Sequence, residues 1–203
     1  MKSKLFLLIV SFFFFSEVGN AQIRYGARLS GSLTNITLLH AQSQSRMGMQ
    51  IAAIGLVPVS NNDIFFIEPE INISFQGEYD NPINRAKNIR KKQKIFSTFI
   101  NIPVNAKVYF SDAESEFFAI GGPYLGIRIG GNVEKMDYPT ETDDYEYTGF
   151  DFGGTLGIGY SLNRQIEFSL RYSYGLLDQV KNDRKNYNNS TSILNFGISY
   201  IFD

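Results

Sequence analysis

Apolar and polar residues alternate with period two in segment after segment of this chain, the signature of strands with one face in each of two media. Phe150, Phe152, Gly154, Leu156, Ile158 and Tyr160 fall on one face of residues 150–161, against Asp151, Gly153, Thr155, Gly157, Gly159 and Ser161. Ile67, Pro69, Ile71, Ile73 and Phe75 oppose Glu68, Glu70, Asn72, Ser74 and Gln76. Ile166, Phe168, Leu170, Tyr172 and Tyr174 oppose Glu167, Ser169, Arg171 and Ser173, and residues 96–110 set an apolar face against Ser97, Asn101, Asn105 and Lys107. Residues 23–33, 117–130 and 191–202 follow the same pattern. The second segment, 49–59, is apolar on both faces, so alternation leaves its register open. These eight segments have the length that a tilted strand needs to cross a bilayer, about 9–11 residues.

Alternation alone also suits a half-buried sheet in a soluble protein. The connections decide between them. Residues 60–63, 111–116 and 163–164 are short turns, whereas 34–48, 77–94, 131–149 and 178–190 are long and polar. Short turns at one end and long loops at the other describe an outer-membrane barrel. Tyr25, Phe65, Phe66, Tyr109, Phe110, Phe117, Phe118, Tyr160, Tyr200 and Phe202 collect at the short-turn end, as an interfacial aromatic girdle would. The expected fold is all-β: a closed, eight-stranded antiparallel up-and-down transmembrane β-barrel with short periplasmic turns and long extracellular loops. Closure follows because a sheet edge in hydrocarbon would leave backbone groups unpaired. Eight strands enclose only side chains, without an aqueous channel. The inner face carries Arg24, Arg28, Glu68, Glu70, Lys107, Arg128, Asp151, Glu167 and Arg171, which the need to pair buried charge makes one internal ion network. Inward Gly122, Gly126, Gly153, Gly157 and Gly159 make room for Tyr124 and Arg128.

The N-terminus adds an export expectation. Lys2 and Lys4 precede an apolar run over residues 5–15, and small residues lead to Ala21, so a secretory signal over residues 1–21 is cut before Gln22. Eleven apolar residues are too few to cross about 30 Å of hydrocarbon as a helix. The barrel domain is then residues 22–203. Removing Lys2, Lys4 and Glu17 takes 19 Lys plus Arg and 20 Asp plus Glu to 17 and 19, a formal charge of −2. That balance gives no reason to expect a nucleic-acid partner. Without cysteine there is no disulfide framework and no thiolate metal site.

Several segments carry a family likeness. PVSNNDIFFIEPEINISFQG (58–77), FINIPVNAKVYF (99–110), FFAIGGPYLGI (117–127), FDFGGTLGIGYSL (150–162), RYSYGL (171–176) and ISYIF (198–202) occur in one order. Together they make the chain resemble the PorT-like outer-membrane β-barrel family of the Bacteroidetes, over essentially the whole mature length. The resemblance implies the barrel fold and an outer-membrane location. The family's named member is linked to assembly of a secretion and gliding apparatus, a role that does not transfer with the fold.

Chemistry-bearing residues are sparse. His40, the only histidine, lies near Ser43 and Ser45 in the first long loop without an acidic residue to orient it, and reads as a solvated loop residue. Glu68 and Glu70 share a face but sit deep in a filled barrel. No catalytic residue, cofactor or metal site is expected. The second long loop carries Arg85, Lys87, Arg90, Lys91, Lys92 and Lys94, and the third Glu134, Asp137, Glu141, Asp143, Asp144 and Glu146. Opposite charge on neighbouring loops suggests a crown over the barrel mouth, or contact with lipopolysaccharide or another envelope protein. The expected function is a structural or surface-interaction role in outer-membrane lipid. A membrane enzyme, a small-solute channel, a secretion accessory and a soluble lipocalin-like carrier are the alternatives.

Overall fold

A computed structural model of the chain describes residues 23–37, 44–59, 63–80, 83–84, 89–90, 92–137, 146–180 and 189–202. The expected signal segment lies outside them. The strands are β1 (Arg24–Thr37), β2 (Gln44–Pro58), β3 (Phe65–Asp80), β4 (Ile83–Asn84), β5 (Ile89–Arg90), β6 (Gln93–Tyr109), β7 (Glu116–Val133), β8 (Phe150–Leu162), β9 (Ile166–Gly175) and β10 (Ser190–Phe202). Eight of them form one closed antiparallel barrel in the order β1-β10-β9-β8-β7-β6-β3-β2, and β4 and β5 make a separate small hairpin. The first and last strands meet from Tyr25↔Phe202 to Thr37↔Ser190, so the seam runs the full height of β1.

Period two sorts the side chains. Leu29, Ile51, Ile71, Ile102, Leu125, Leu156, Ile158, Leu170, Phe196 and Ile198 are exposed on the outer wall, while Arg28, Glu70, Asn101, Thr155, Glu167 and Arg171 are buried inside. An apolar exterior around a polar interior is the reverse of a soluble carrier. The register of β2, open in the sequence, is settled by its partners: Ala52 lies opposite Arg28, and Gln50, Ala52, Ile54 and Leu56 point inward. Both faces of β2 are apolar because Ile54 and Leu56 join Phe66, Tyr109, Phe118, Ile120 and Ile201 in a dry plug at the short-turn end.

That plug corrects the aromatic girdle. Phe66, Tyr109 and Phe118 are buried in the lumen, each next in sequence to a ring that stays on the wall (Phe65, Phe110 and Phe117). Neighbouring residues of a strand face opposite ways, so one ring of each pair had to turn in. Tyr109 packs edge-on against both Phe66 and Phe118, with centroids 5.6 and 5.7 Å apart. Outside, Tyr25, Phe110, Phe117, Tyr200 and Phe202 remain as a girdle.

The strands also run further toward the loops than the alternation suggested. Residues 34–37, 44–48, 77–80, 93–94 and 131–133 are strand rather than loop. Register shifts between Ser45 and Met49 and between Thr98 and Phe99 interrupt the pattern there. Such a bulge flips the faces of everything beyond it, which hides the continuation from a reading by period.

The glycine expectation holds in part. A Cβ at Gly153 would meet the Tyr124 ring at 2.6 Å, and one at Gly159 would meet the Phe118 ring at 2.3 Å. Arg128, however, leans on Gly131, where a Cβ would fall 2.1 Å from its guanidinium.

The wall assignment predicts the effect of a charge on it. Ile158, 62% exposed on β8, should tolerate arginine poorly in a bilayer: Ile158→Arg is expected to cost roughly 2–4 kcal/mol near the midplane. Denaturant unfolding in lipid vesicles measures this, and wild-type stability for the variant would reverse the inside–outside assignment.

Candidate functional site

The lumen brings six of the nine expected charges into one chain. The Arg28 guanidinium donates to Glu70 Oε1 at 2.5 Å, and Asn72 donates to the same oxygen at 2.8 Å. Arg171 donates one nitrogen to Glu70 Oε2 and another to Glu68 Oε1, both at 3.0 Å. The Lys107 ammonium lies 3.1 Å from Glu68 Oε2 and 2.5 Å from Glu167 Oε2, and the Tyr109 hydroxyl donates to Glu167 Oε1 at 2.6 Å. Every carboxylate oxygen of Glu68, Glu70 and Glu167 thus accepts a hydrogen bond. Three cations meet three anions, so the network is formally neutral. Its residues come from β1, β3, β6 and β9, and β9 stands opposite β3 in the barrel order, so Arg171 reaches across the full width. Lys107 also sits 4.4 Å above the Phe118 ring, joining network to plug.

Three expected members stay outside. Arg24 lies over the Phe66 ring at 5.1 Å. Arg128 donates to Ser97 Oγ at 3.3 Å and lies over the Tyr147 ring, nearer the loops. Asp151 accepts from the Tyr124 hydroxyl at 2.9 Å and from the Phe152 amide. The stagger of a tilted barrel carries these side chains above or below the network level, a displacement that face assignment alone does not reveal.

Little space is left. Arg28, Glu70, Asn105 and Arg171 border an internal cavity of about 30 Å3, and Gln76, Ser97 and Arg128 border one of about 10 Å3 nearer the loops. Both are on the scale of bound water, far from that of a permeating solute.

The short-turn end is tied by a residue that the sequence reading passed over. Residues 163–165 turn β8 into β9, one residue longer than expected, with φ of 51° and 55° at Asn163 and Arg164 and the Gln165 amide donating to the Leu162 carbonyl. Paired left-handed residues suit a hairpin, although Asn-Gly is the usual choice. Arg164 instead donates to the carbonyls of Asp63 at 2.6 Å and of Ser111 and Ala113 at 3.0 Å. It also pairs with Glu116 and covers the Tyr109 ring at 3.9 Å. One guanidinium therefore holds all three short turns over the plug.

At the loop end the third and fourth connections are joined at their roots, the Thr148 amide donating to Gln179 O and the Thr148 hydroxyl to Asp178 O, each at 2.9 Å. The second and third meet where the Glu134 amide donates to Lys94 O at 2.9 Å and the Lys94 amide to the Glu134 carboxylate at 3.1 Å. Their charged tips, Arg85, Lys87, Lys91, Glu141, Asp143 and Asp144, lie outside the described residues, as do His40 and Ser43; Arg90 is described only as part of β5. Asp137 and Glu146 border the undescribed tip of the third loop. Among the described residues no group of three His, Cys, Asp or Glu side chains is placed to hold a metal ion.

A family model for the outer membrane protein beta-barrel domain matches residues 16–180. The chain belongs to that family. Among solved structures, Neisserial surface protein A resembles this outer-membrane barrel over 91% of this chain and 100% of its own, at 13% identity and a TM-score of 0.51. OprG from Pseudomonas aeruginosa matches at 12% identity and a TM-score of 0.44, covering 89% of this chain and 94% of its own. Ail, the attachment invasion locus protein of Yersinia pestis, in complex with the heparin analogue sucrose octasulfate, matches at 9% identity and 0.44, covering 91% and 100%. At these identities the likeness concerns the fold alone. No curated protein sequence matches the chain.

The network makes a thermodynamic prediction. Removing one member of a buried pair leaves the other charge uncompensated, at roughly 3–5 kcal/mol, whereas removing both is milder. A double-mutant cycle on Glu70→Gln and Arg171→Met should therefore be strongly non-additive in unfolding free energy; additivity within about 0.5 kcal/mol would dissolve the pair.

Proposed function

We propose that this protein is a structural or surface-interaction barrel of the outer membrane whose lumen passes no solute. The filled lumen supports this reading above all: a neutral ion chain crosses it from wall to wall, an apolar plug lies beneath, and the remaining cavity near the chain is about 30 Å3. Opening a pore would mean parting six buried charges inside a wall surrounded by lipid, and each stranded ion costs several kcal/mol. The loops are the surface offered to partners. Their basic residues suit lipopolysaccharide phosphates, and their acidic ones suit a basic patch on another envelope protein. No catalytic step belongs to this reading.

Within the family we place the chain with the PorT-like barrels of the Bacteroidetes on the segments quoted above. Fold and location carry over from that likeness; a role in secretion does not. Residues 1–21 act in this reading as a cleaved export signal.

Proteoliposomes carrying the refolded barrel should swell no faster in isosmotic arabinose than empty liposomes. Porin-like swelling would make the protein a channel instead. N-terminal sequencing of protein from outer membranes should begin at Gln22, and unheated samples should migrate differently from boiled ones on detergent gels. A start at Met1, or recovery as a soluble protein without detergent, would contradict export into the membrane.

A further inference from the structure

Three cations and three aromatic rings come together at the loop end of the outer wall. On β3, Phe75 and Tyr79 share the outward face, and on β6 Lys94 and Phe96 do; Tyr79 pairs with Lys94, and Gly77 with Phe96. Phe75 and Phe96 stack, with centroids 6.2 Å apart and planes within 17°. The Lys92 ammonium lies 3.9 Å above the Tyr79 ring, and the Arg46 guanidinium reaches from β2 to 4.9 Å above Phe96. Arg46 can lie there because Gly77 has no side chain: a Cβ would fall 2.9 Å from its guanidinium. Among the described residues no salt bridge engages the side chains of Arg46, Lys92 or Lys94, although the Glu134 carboxylate accepts from the Lys94 amide at 3.1 Å and the Ile95 carbonyl from the Arg46 guanidinium at 3.3 Å.

The ground below this patch is apolar. Ile71 and Ile73 continue the outward face of β3 and Ile102 that of β6, all exposed. The patch therefore sits where the hydrocarbon-facing wall gives way to the loops, with cations above and a sheer apolar surface beneath. Rings at that boundary support long basic side chains and hold their charged ends level with headgroups.

We propose that this collar of Arg46, Lys92 and Lys94 binds the phosphate groups of a phosphorylated glycolipid in the outer leaflet, with the acyl chains lying along Ile71, Ile73 and Ile102. The inference rests on the outer-membrane reading and adds a site on the wall to the partner surface of the loops. Geometry selects a lipid: a soluble polyanion gains nothing from the apolar strip, whereas a lipid uses both parts at once. Orientation selects the leaflet, because long loops mark the extracellular end of such barrels. Guanidinium and ammonium groups are the natural donors to phosphate oxygens.

The test compares lipids and variants in detergent by native mass spectrometry, with gel heat-modifiability confirming that each variant is folded. Diphosphoryl lipid A should bind the wild-type barrel at least about tenfold more tightly than its phosphate-free form, each basic residue near charged lipid being worth roughly fivefold. The triple variant Arg46→Gln, Lys92→Gln, Lys94→Gln should lose at least about tenfold, and more than Arg85→Gln, Lys87→Gln, Lys91→Gln in the loop loses. Equal binding of the two lipid forms, or a triple variant within about twofold of wild type, would overturn the site. Phosphatidylglycerol binding as tightly as lipid A would overturn the choice of a glycolipid. A loss confined to the loop variant would remove the wall site and leave the proposed loop surface standing. Solute permeation, tested separately, bears on the closed lumen and not on the collar.

Discussion

Everything in this barrel follows from the need to satisfy each backbone amide and carbonyl where no water can reach them. An unpaired peptide group in hydrocarbon costs several kcal/mol, so an open sheet edge is excluded and β1 must find β10. Closing eight strands leaves an interior about as wide as the side chains that fill it. The outer wall must then be apolar, and the polar half of each strand is confined to a narrow lumen. Charges placed there have one another as partners, which is why Arg28, Glu70, Arg171, Glu68, Lys107 and Glu167 join end to end and sum to zero.

The strands were legible because each face meets a different medium, and the sequence records that contrast every second residue. Turn placement and closure followed from it. What escaped were features decided by stagger and by contacts distant in sequence. Ile54 and Leu56 left the register of β2 open in the sequence, because the plug that they share with Phe66 and Phe118 makes an inward face apolar. Arg128 and Asp151 shared the correct face with the ion network but not its level. Arg164 reaches the Asp63 carbonyl 101 residues away, and no local pattern announces such a contact. The one hint was an arginine in a tight hairpin turn where glycine is usual. Arg46 left no mark either, because its reach to Phe96 depends on a register shift in its own strand.

The interior divides into layers with different work. The plug removes apolar rings from water at the short-turn end, and the ion chain spans the width above it. Arg164 clamps the turns below, its left-handed backbone held in place by the several hydrogen bonds that it makes there. Lys107 lies over the Phe118 ring, so the two layers are in direct contact and neither can shift alone. A lumen built in this way is rigid, and whatever variety the protein presents to its surroundings is left to the loops and the upper wall.

Strand lengths make that upper wall uneven. The strands are level at the turns, where Glu116 pairs with Ser161 and Leu162 with Ile166, yet β7 has 18 residues and β9 has 10. At about 3.3 Å per residue and the tilt usual for such barrels, the regular strand of β7 reaches roughly 20 Å higher than that of β9, two places away round the ring. Above β9 the wall is carried on by residues outside regular strand, where Tyr147 bridges Val180 and the Gln179 amide donates to the Asn189 carbonyl. A neighbour approaching from the β9 side meets this irregular stretch, while one arriving from β3, β6 and β7 meets continuous sheet up to the level of the collar. Such a barrel has a compass bearing, and what it touches depends on the direction from which it is approached.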